Sequence, residues 1–438
     1  MSTTNPKNIV ILGGSYAGLP TAHYLLKHAL PILPDPKPYK VILISTSSQA
    51  KCRPAAPRAL LSDAMFPQQK LFVDIKTSFK QYGDEKFAFE KGTVTNLDCE
   101  ARTVTYLPAE AEVEGIFEVI PYHALIIATG ASTPSPLLGY GSNDETTLRA
   151  NWAAFRAALP NAKHIVVAGG GASGVEVAGE LGEYLNGKPG WFSSTLKNSR
   201  VRITLLSGGK RLLPYFAQHP GVAATAEKYL ARLGVNVVHG TRVVSVKPMG
   251  DGAGTTEVSV GGAVTLALDN GETLAADLYI PATGAQANTS FAPEGIKRTS
   301  NGDNRIEVDA ATLRVTAPEA GGLVYAIGDV ATAARPAVHN ILAQVPVLCA
   351  NVRRDLLLAA GVSSDKIKVG KGAREGEDRK FVEDVRETQF VPLGTSTGVG
   401  AVMGFRVPGF LVWLIKGRDY WLWTTGNLWN GKQWEKES

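Results

Sequence analysis

The chain has 438 residues, of which 44% are hydrophobic and 19% are charged, as is usual for a globular protein with a substantial core. The length predicts roughly two to four domains. Lys and Arg outnumber Asp and Glu by 45 to 40, an excess too small over this length to indicate a nucleic-acid partner.

Cysteine spacing and the start of the chain exclude further classes. Cys52, Cys99 and Cys349 are far apart, whereas zinc sites and redox-active disulfides need closely paired thiols, so neither is expected. The first residues contain neither the apolar core of a signal peptide nor the glycine that N-myristoylation requires. No stretch reaches the roughly 18–20 apolar residues that span a bilayer. These features predict a cytoplasmic protein.

The chain opens with a strand, a glycine-rich turn and a helix. Residues 8–12 are predicted to form a buried strand, and residues 41–44 the next one. Gly13 and Gly18 match the first and third glycines of a dinucleotide fingerprint, but Ser15 stands at the middle position. Its side chain crowds a pyrophosphate slightly and can also donate a hydrogen bond. Taken alone, this turn fits a purely structural role equally well.

The same pattern recurs after a strand predicted at residues 164–168. Gly169, Gly171 and Gly174 complete the fingerprint, and residues 175–185 form the helix that follows. The first glycine permits the tight turn, the second lets backbone N–H groups approach the pyrophosphate, and the third lets helix and strand pack closely. The helix N-terminus then faces the phosphate charge. This second unit predicts a nucleotide site.

Both units lack the acidic residue that usually binds a ribose 2′-hydroxyl at the end of the second strand. Ser45 stands there in the first unit and Ser207 in the second. Lys210 and Arg211 follow Ser207, and a site without a carboxylate but with basic side chains tolerates the 2′-phosphate of NADPH. The sequence therefore predicts that NADPH is accepted, with NADH not excluded. The alternative is that both basic residues are solvated surface charges.

Two apolar segments, residues 124–130 and 278–284, both end in Ala-Thr-Gly. Two strands with the same ending suggest that the chain leaves the first lobe, forms the second lobe and then returns to complete the first. A third apolar segment, residues 323–327, precedes Gly328 and Asp329. A carboxylate at the end of a strand can accept hydrogen bonds from the ribityl hydroxyls of a flavin. The alternative for Asp329 is an ordinary helix N-cap.

The predicted fold is α/β, with two Rossmann-like doubly wound nucleotide-binding domains and a C-terminal α+β segment. Residues 363–388 carry mixed charges, which predicts a solvated loop or helix face. The predicted domains are a first nucleotide-binding domain at 1–137 and 285–360, a second one inserted at 138–284, and a C-terminal segment at 361–438 with a Trp-rich tail.

The ordered motifs resemble one superfamily. Gly-x-x-x-x-Gly, Ala-Thr-Gly, Gly-x-Gly-x-x-Gly-x-Glu, a second Ala-Thr-Gly and Tyr-Ala-Ile-Gly-Asp are similar to those of the pyridine nucleotide–disulfide reductases. Residues 398–405 and 416–419 resemble the closing segment of the branch homologous to apoptosis-inducing factor. That branch includes the ferroptosis suppressor (AMID-like) quinone reductases. Ser15, Ser45, the missing lipidation signal and the charged insert depart from its pattern.

The resemblance implies FAD in the first lobe, NAD(P)H in the second, and hydride transfer to the flavin followed by reduction of a quinone-like acceptor. It implies that Glu176 lies on the nicotinamide side and that Arg58 lies near the flavin, and these are the candidate catalytic residues. The alternative for Arg58 is a surface ion pair. The cofactor contacts expected are Gly13, Gly14, Ser15, Ala17, Gly18, Ser45, Arg58, Val94, Ala128, Thr129, Gly130, Gly169, Gly171, Ser173, Gly174, Glu176, Ser207, Lys210, Arg211, Thr283, Gly284, Gly328, Asp329 and Gln344.

Three function classes stay open: a quinone reductase, another flavin electron-transfer enzyme such as a tailoring oxidase or reductase of a biosynthetic pathway, and an apoptosis-factor-like signalling protein. His339 is predicted to be a packed or capping histidine rather than a proton donor. The tail, which contains Trp413, Trp421, Trp423 and Trp429, either touches a membrane surface and admits a lipid-soluble quinone or packs on the first lobe.

Overall fold

The computed structural model describes residues 6–110, 115–141, 144–188, 196, 199–249, 260–368 and 376–438. The first five residues and residues 369–375 of the charged insert therefore lie outside the described residues. Up to Ser132 the elements are β1 (Lys7–Leu12), α1 (Gly18–Tyr24), β2 (Tyr39–Ser45), β3 (Gln49–Lys51), α2 (Ala56–Ala59), α3 (Gln68–Leu71), β4 (Phe72–Asp74), α4 (Ile75–Phe79), β5 (Phe87–Asp98), β6 (Thr103–Pro108), β7 (Glu118–Pro121), β8 (Ala124–Ile127) and β9 (Ala131–Ser132).

The middle of the chain alternates strands with longer helices. Its elements are α5 (Glu145–Ala158), β10 (His164–Ala168), α6 (Ala172–Asn186), β11 (Arg202–Ser207), α7 (Pro220–Arg232), β12 (Val235–His239), β13 (Val243–Pro248), β14 (Val264–Leu268), β15 (Thr273–Ala276), β16 (Leu278–Pro281) and β17 (Gln286–Ala287). The remaining elements are β18 (Val324–Ala326), α8 (Val338–Ala359), β19 (Gln389–Pro392), β20 (Gly398–Val402), β21 (Phe405–Arg406), α9 (Gly409–Val412) and α10 (Leu422–Trp429).

The first lobe is built on a sheet with the strand order β18-β8-β1-β2-β5-β6-β7. Its central strands are parallel, and they are continuous apolar runs because helices or loops cover both faces. Leu12 lies opposite Ile44 and Ile127, and Ile127 lies opposite Ala326. The four strands therefore end together, and the segments that follow them meet at one edge of the sheet.

The second lobe repeats this arrangement on a sheet with the order β12-β11-β10-β16. Ala168 lies opposite Leu206 and Pro281, so these parallel strands also end together. Strand β18 joins the first sheet although it follows the second lobe in the chain, so the chain does return to its first lobe. The predicted fold class, α/β with two doubly wound lobes, is confirmed. The predicted domain limits stay a prediction.

The C-terminal segment packs on both lobes. Trp429 and Trp434 belong to the apolar core of the first lobe. Val391, Val399 and Tyr420 belong to the core that contains the second lobe. The segment is thus a bridge between the lobes, and it contributes side chains to the interior of each.

The charged insert is less solvated than predicted. Asp378 forms an ion pair with Arg314 at 2.7 Å. Glu387 is buried, and its carboxylate accepts a hydrogen bond from the Gln218 backbone at 2.8 Å and lies 2.6 Å from the His219 Nδ1. The prediction of a solvated face is wrong for these residues, because their hydrogen-bond and ion-pair partners come from elements distant in the chain.

Candidate functional site

The first glycine turn has a backbone that only glycine permits at two positions. Gly13 has a φ of +111°, and a Cβ there would lie 2.4 Å from the Ala128 carbonyl oxygen. A Cβ on Gly18 would lie 1.8 Å from the Gly13 carbonyl oxygen. Both contacts are far shorter than any real Cβ contact, so the turn can close only with glycine. Ser15 is exposed and Ala17 is buried.

The second turn is built in the same way. Gly169 has a φ of +133°, and a Cβ on Gly174 would lie 1.9 Å from the Gly169 carbonyl oxygen. A Cβ on Gly171 would meet no protein atom within 4 Å, and Ser173 is exposed beside it. Among the described residues no side chain caps the N-terminus of α6, so its first N–H groups are available to a phosphate. Since the two turns share one geometry, Ser15 does not distort the first.

Asp329 lies at the edge where the first lobe's strands end. Its Oδ1 is buried and has no hydrogen-bond partner among the described residues. Burial raises the pKa of this carboxyl, and Arg53 and Arg305 partly oppose the rise. The helix N-cap alternative is wrong, since the next long helix, α8, begins only at Val338. An unsatisfied buried carboxylate at this edge fits the ribityl hydroxyls of FAD.

Neighbours of Asp329 complete this edge. The Gly328 N–H donates to the buried Gln344 Oε1 at 3.1 Å, so Gln344 holds the turn that carries Asp329. Thr129 donates through its Oγ1 to the Asn288 carbonyl at 2.8 Å, which ties the first Ala-Thr-Gly exit, ending at Gly130, to the returning chain. Arg53 donates to the Ala131 carbonyl at 2.7 Å. The sequence interpretation missed Arg53.

Ser45 ends β2 and packs against the glycine turn, because a Cβ on Gly14 would lie 2.9 Å from the Ser45 Oγ. Just beyond it, Ser47 donates to the Glu145 carboxylate at 2.7 Å and Ser48 donates to its other oxygen. Glu145 opens α5, so a carboxylate stands near this strand end but comes from another element. The sequence missed it, because Ser48 and Glu145 are 97 residues apart. Val94 lies on β5, opposite Tyr106 of β6.

Arg58 lies in a buried ion pair with Glu180, and the two side chains are 5% and 2% exposed. Its Nε and Nη2 donate to the two Glu180 oxygens at 2.9 and 2.7 Å, and it also donates to the Gly394 and Gly417 carbonyls. Tyr420 donates to the same carboxylate at 2.9 Å. The surface ion-pair alternative is wrong, because the C-terminal segment covers the pair. Arg58 thus joins α2, α6 and that segment.

A second buried pair lies one helical turn earlier on α6. Glu176 and Lys416 are both buried, and the Lys416 Nζ donates to the Glu176 Oε1 at 2.5 Å and to the Phe390 carbonyl at 3.1 Å. Burial raises the pKa of the Glu176 carboxyl, and the Lys416 ammonium opposes the rise. Glu176 follows the second glycine turn directly, so a proton-holding pair stands beside that nucleotide site. Lys416 is a further residue that sequence reasoning left out of the site.

The adenosine end of the second lobe carries exposed cations. Ser207 is buried, and its Oγ donates to the Gly209 carbonyl at 3.3 Å, while Lys210 and Arg211 are exposed. Beyond β16, Thr283 is exposed, and a Cβ on Gly284 would meet no described atom within 4 Å. The uncharged strand end would not repel the 2′-phosphate of a bound NADPH, and the exposed basic side chains could pair with that phosphate.

His339 lies in the first turn of α8 and is exposed. The interpretation of His339 as a packed histidine is therefore wrong. Since Ala337 is the N-cap residue of α8, His339 does not hold the capping position either.

The aromatic tail divides into a buried and an exposed part. The buried His23 Nε2 lies 2.7 Å from the Trp429 carbonyl oxygen, and burial lowers the pKa of His23 to about 4, although this hydrogen bond opposes the shift. Trp429 is fully buried against Tyr16. Another set of apolar residues in the C-terminal segment, the tail patch, is exposed and consists of Phe405, Phe410, Leu414, Ile415 and Trp423.

Comparison with known proteins gives the family. The model of the pyridine nucleotide-disulphide oxidoreductases matches residues 7–348, so the chain belongs to this family of flavin-dependent NAD(P)H oxidoreductases, whose cofactors are FAD and NAD(P)H. Oxidoreductase phnG of Penicillium herquei is 56% identical over 437 residues, which cover 100% of this chain and 99% of phnG. Oxidoreductase ptaL of Pestalotiopsis fici is 33% identical over 413 residues, 94% of this chain and 95% of ptaL.

More distant proteins agree with the resemblance seen in the motifs. Ferroptosis suppressor protein 1 of Mus musculus is 26% identical over 424 residues, 95% of this chain and 94% of that protein. The solved structure of NDH2 from Plasmodium falciparum in complex with NADH superposes with a TM-score of 0.63 at 16% identity and covers 99% of each chain. The first comparison supports the predicted branch, and the second shows the shared fold. In the described residues, no helix is long and apolar enough to cross a membrane.

Proposed function

We propose that the protein oxidises NADPH or NADH and reduces a quinone-like acceptor by two electrons. The first glycine turn and Asp329 would hold FAD, which would supply the chemistry of accepting a hydride from the nicotinamide and passing two electrons on. The names of the relatives phnG and ptaL state only an oxidoreductase, so the class of acceptor has to be argued from the residues. The observation that carries it is the buried Glu176–Lys416 pair directly behind the second glycine turn.

The reduction of a quinone by NAD(P)H needs one proton more than NAD(P)H supplies, and the Glu176–Lys416 pair is a candidate for holding that proton. Reduction of a quinone to a quinol takes two electrons and two protons, whereas NAD(P)H supplies two electrons and one proton. One further proton has to come from the protein or from water. The Lys416 Nζ donates a hydrogen bond to the Glu176 Oε1 at 2.5 Å, and burial raises the pKa of that carboxyl, which favours its protonated form. We assign the pair the role of holding the second proton at the buried side of the site.

Electron transfer through thiols is the alternative chemistry in this superfamily. Cys52, Cys99 and Cys349, all within the described residues, are free, and Cys52 and Cys349 are buried. Burial raises the pKa of the Cys52 thiol to about 11, which disfavours the reactive thiolate. An acceptor that meets the flavin directly fits these residues better than a dithiol relay.

The proposal is tested with the purified flavoprotein in stopped flow. We expect NADPH to bleach the flavin absorbance without oxygen, and menadione or a short-chain ubiquinone to restore it much faster than air-saturated buffer does. Flavin reduced by dithionite serves as the control, because it removes the nicotinamide step. If oxygen reoxidises the flavin faster than either quinone, the enzyme is an oxidase and the quinone assignment is wrong. If neither NADPH nor NADH bleaches the flavin, the whole function is wrong.

The tail patch supports a further part of the proposal: a cytoplasmic enzyme that makes peripheral contact with a membrane holding its acceptor. Phe405 and Trp423 are 74% and 64% exposed, and Arg406 and Arg418, which are close to them in the sequence, are exposed as well. Phe410 and Leu414 are four residues apart on consecutive helical turns and share a face. Exposed apolar side chains flanked by arginines suit a surface with anionic lipids.

Replacing Phe410, Leu414 and Trp423 together with serine is expected to lower binding to phosphatidylcholine–phosphatidylserine vesicles by at least about tenfold, since each apolar side chain contributes on the order of 1.5–3 kcal/mol when buried. Turnover with water-soluble menadione is expected to persist. The matched control replaces Val382 and Val385, which are exposed outside the patch, with serine. Equal vesicle binding by both variants would show that the patch does not serve the membrane.

A further inference from the structure

The uncharged end of β11 is enclosed by a neighbouring loop. Ser207 lies opposite His239 of β12, and each of the two residues ends its strand. Thr241 donates its backbone N–H to the Ser207 carbonyl at 3.0 Å, and Gly240 donates to the Gly209 carbonyl at 3.2 Å. The loop after β12 is therefore fastened to the loop after β11, the place where a Rossmann lobe reads the 2′ position of the adenosine ribose.

This fastening brings Arg242 over the backbone of Gly208. A Cβ on Gly208 would lie 2.7 Å from the Arg242 Nε and 2.8 Å from its Cγ. Glycine at position 208 thus leaves the space that the arginine stem occupies. Arg242 is 34 positions further along the chain, so the spacing of the fingerprint gave no sign of it.

The Arg242 guanidinium keeps its capacity to bind an anion. Its side chain is 71% exposed, and its Nη1 is 4.0 Å from the Asp269 carboxylate, too far for a direct hydrogen bond. Exposed pairs of this kind contribute little, so a phosphate can compete for the donors. The Arg242 backbone N–H also donates to Asp269 at 2.9 Å, which fixes the position of the residue while its side chain stays free to reorient.

We infer that Arg242 is a specificity-determining residue that binds the 2′-phosphate of NADPH, together with the exposed Lys210 and Arg211. The inference rests on the proposed use of NAD(P)H and names the preferred form of the donor. A guanidinium presents a planar fork of donors that matches phosphate oxygens, and Ser207 adds no negative charge to oppose it. NADH has no phosphate on the 2′ position of its adenosine ribose, so it offers Arg242 no anion at that position.

The test uses two probes that contain no nicotinamide, 2′,5′-ADP and 5′-AMP, and measures their binding to the FAD-loaded protein by calorimetry. Arg242→Ala is expected to weaken 2′,5′-ADP about 10- to 100-fold, as the loss of charge-assisted hydrogen bonds does, and to change 5′-AMP far less. Arg242→Lys keeps the charge without the fork and is expected to fall between. Arg232→Ala, which removes an exposed arginine at the end of α7, is the matched control and is expected to bind both probes as the wild type does.

Steady-state kinetics give a second readout. In Arg242→Ala the KM for NADPH is expected to rise about 10- to 100-fold with a much smaller change in kcat, and the KM for NADH is expected to change far less. Equal weakening of 2′,5′-ADP and 5′-AMP would assign Arg242 to the adenosine or the fold instead, and unchanged binding of both would overturn the inference. Probe binding needs neither flavin reduction nor an acceptor, so it can succeed when the proposed function fails and fail when that function holds.

Discussion

Replacing Arg58 with alanine is expected to lower the free energy of unfolding by about 3–5 kcal/mol, the cost of leaving one partner of a buried ion pair unpaired. The remaining Glu180 carboxylate would keep the hydrogen bond from Tyr420 but lose the guanidinium that pairs with both of its oxygens. Urea unfolding of the FAD-saturated protein measures the effect. Since the pair joins α6 to that segment, we also expect the segment to become sensitive to proteolysis.

Two variants make this result interpretable. Arg386→Ala removes an arginine paired with Asp384 at the surface and is expected to leave the urea midpoint almost unchanged. Combining Arg58→Met with Glu180→Leu removes both charges and is expected to recover much of the loss. A loss of FAD from Arg58→Ala without a change in stability would instead support the flavin contact that the family resemblance implied.

Replacing Gly171 with valine is expected to reduce the rate of flavin reduction by NADPH at least about 100-fold at subsaturating donor, with FAD content unchanged. A Cβ at this position meets no protein atom within 4 Å, so the lobe is expected to fold normally. The valine side chain would fill the space through which backbone N–H groups reach the pyrophosphate. Anaerobic stopped flow with NADPH measures the loss, and dithionite shows that the flavin is still reducible.

The control for this variant is Gly322→Val, because Gly322 also has no protein atom within 4 Å of its Cβ position but lies in the loop before β18. We expect it to react with NADPH like the wild type. If Gly171→Val instead loses FAD and keeps its affinity for NADPH fragments, the two nucleotides occupy the lobes in the reverse order. A wild-type rate in Gly171→Val would remove the second turn from the donor site.

The sequence was sufficient to recognise the two glycine turns, and their cofactor contacts stay a prediction. Gly13, Gly18, Gly169 and Gly174 could be recognised because a tight strand-to-helix turn imposes the same steric demand wherever it occurs. The strands around these turns were predictable for a similar reason, since parallel strands covered on both faces are continuous apolar runs. The fold class and the family followed from the order of these local signals.

Side-chain partners were not predictable, because they depend on contacts between distant parts of the chain. Arg58 and Glu180 are 122 residues apart, and Lys416 and Glu176 are 240 apart. Charge and residue type favour a surface location for such residues, and only burial beneath the C-terminal segment makes their pairing necessary. Asp329 is the opposite case, a charged residue without a partner. Its Oδ1 indicates a ligand site only because the fold buries this oxygen away from a hydrogen-bond partner among the described residues.

The sequence by itself thus determined two nucleotide-binding turns, their order and the family, because backbone sterics and apolar patterning act within a few residues. The first turn, in which Ser15 replaces a glycine, depended on the tertiary structure, which gives it the same geometry as the second. The tertiary structure also decided which charges are buried together, how the aromatic tail divides between core and surface, and where Arg242 lies. These outcomes depend on which distant segments pack together and exclude water, and short-range sequence patterns do not reveal that packing.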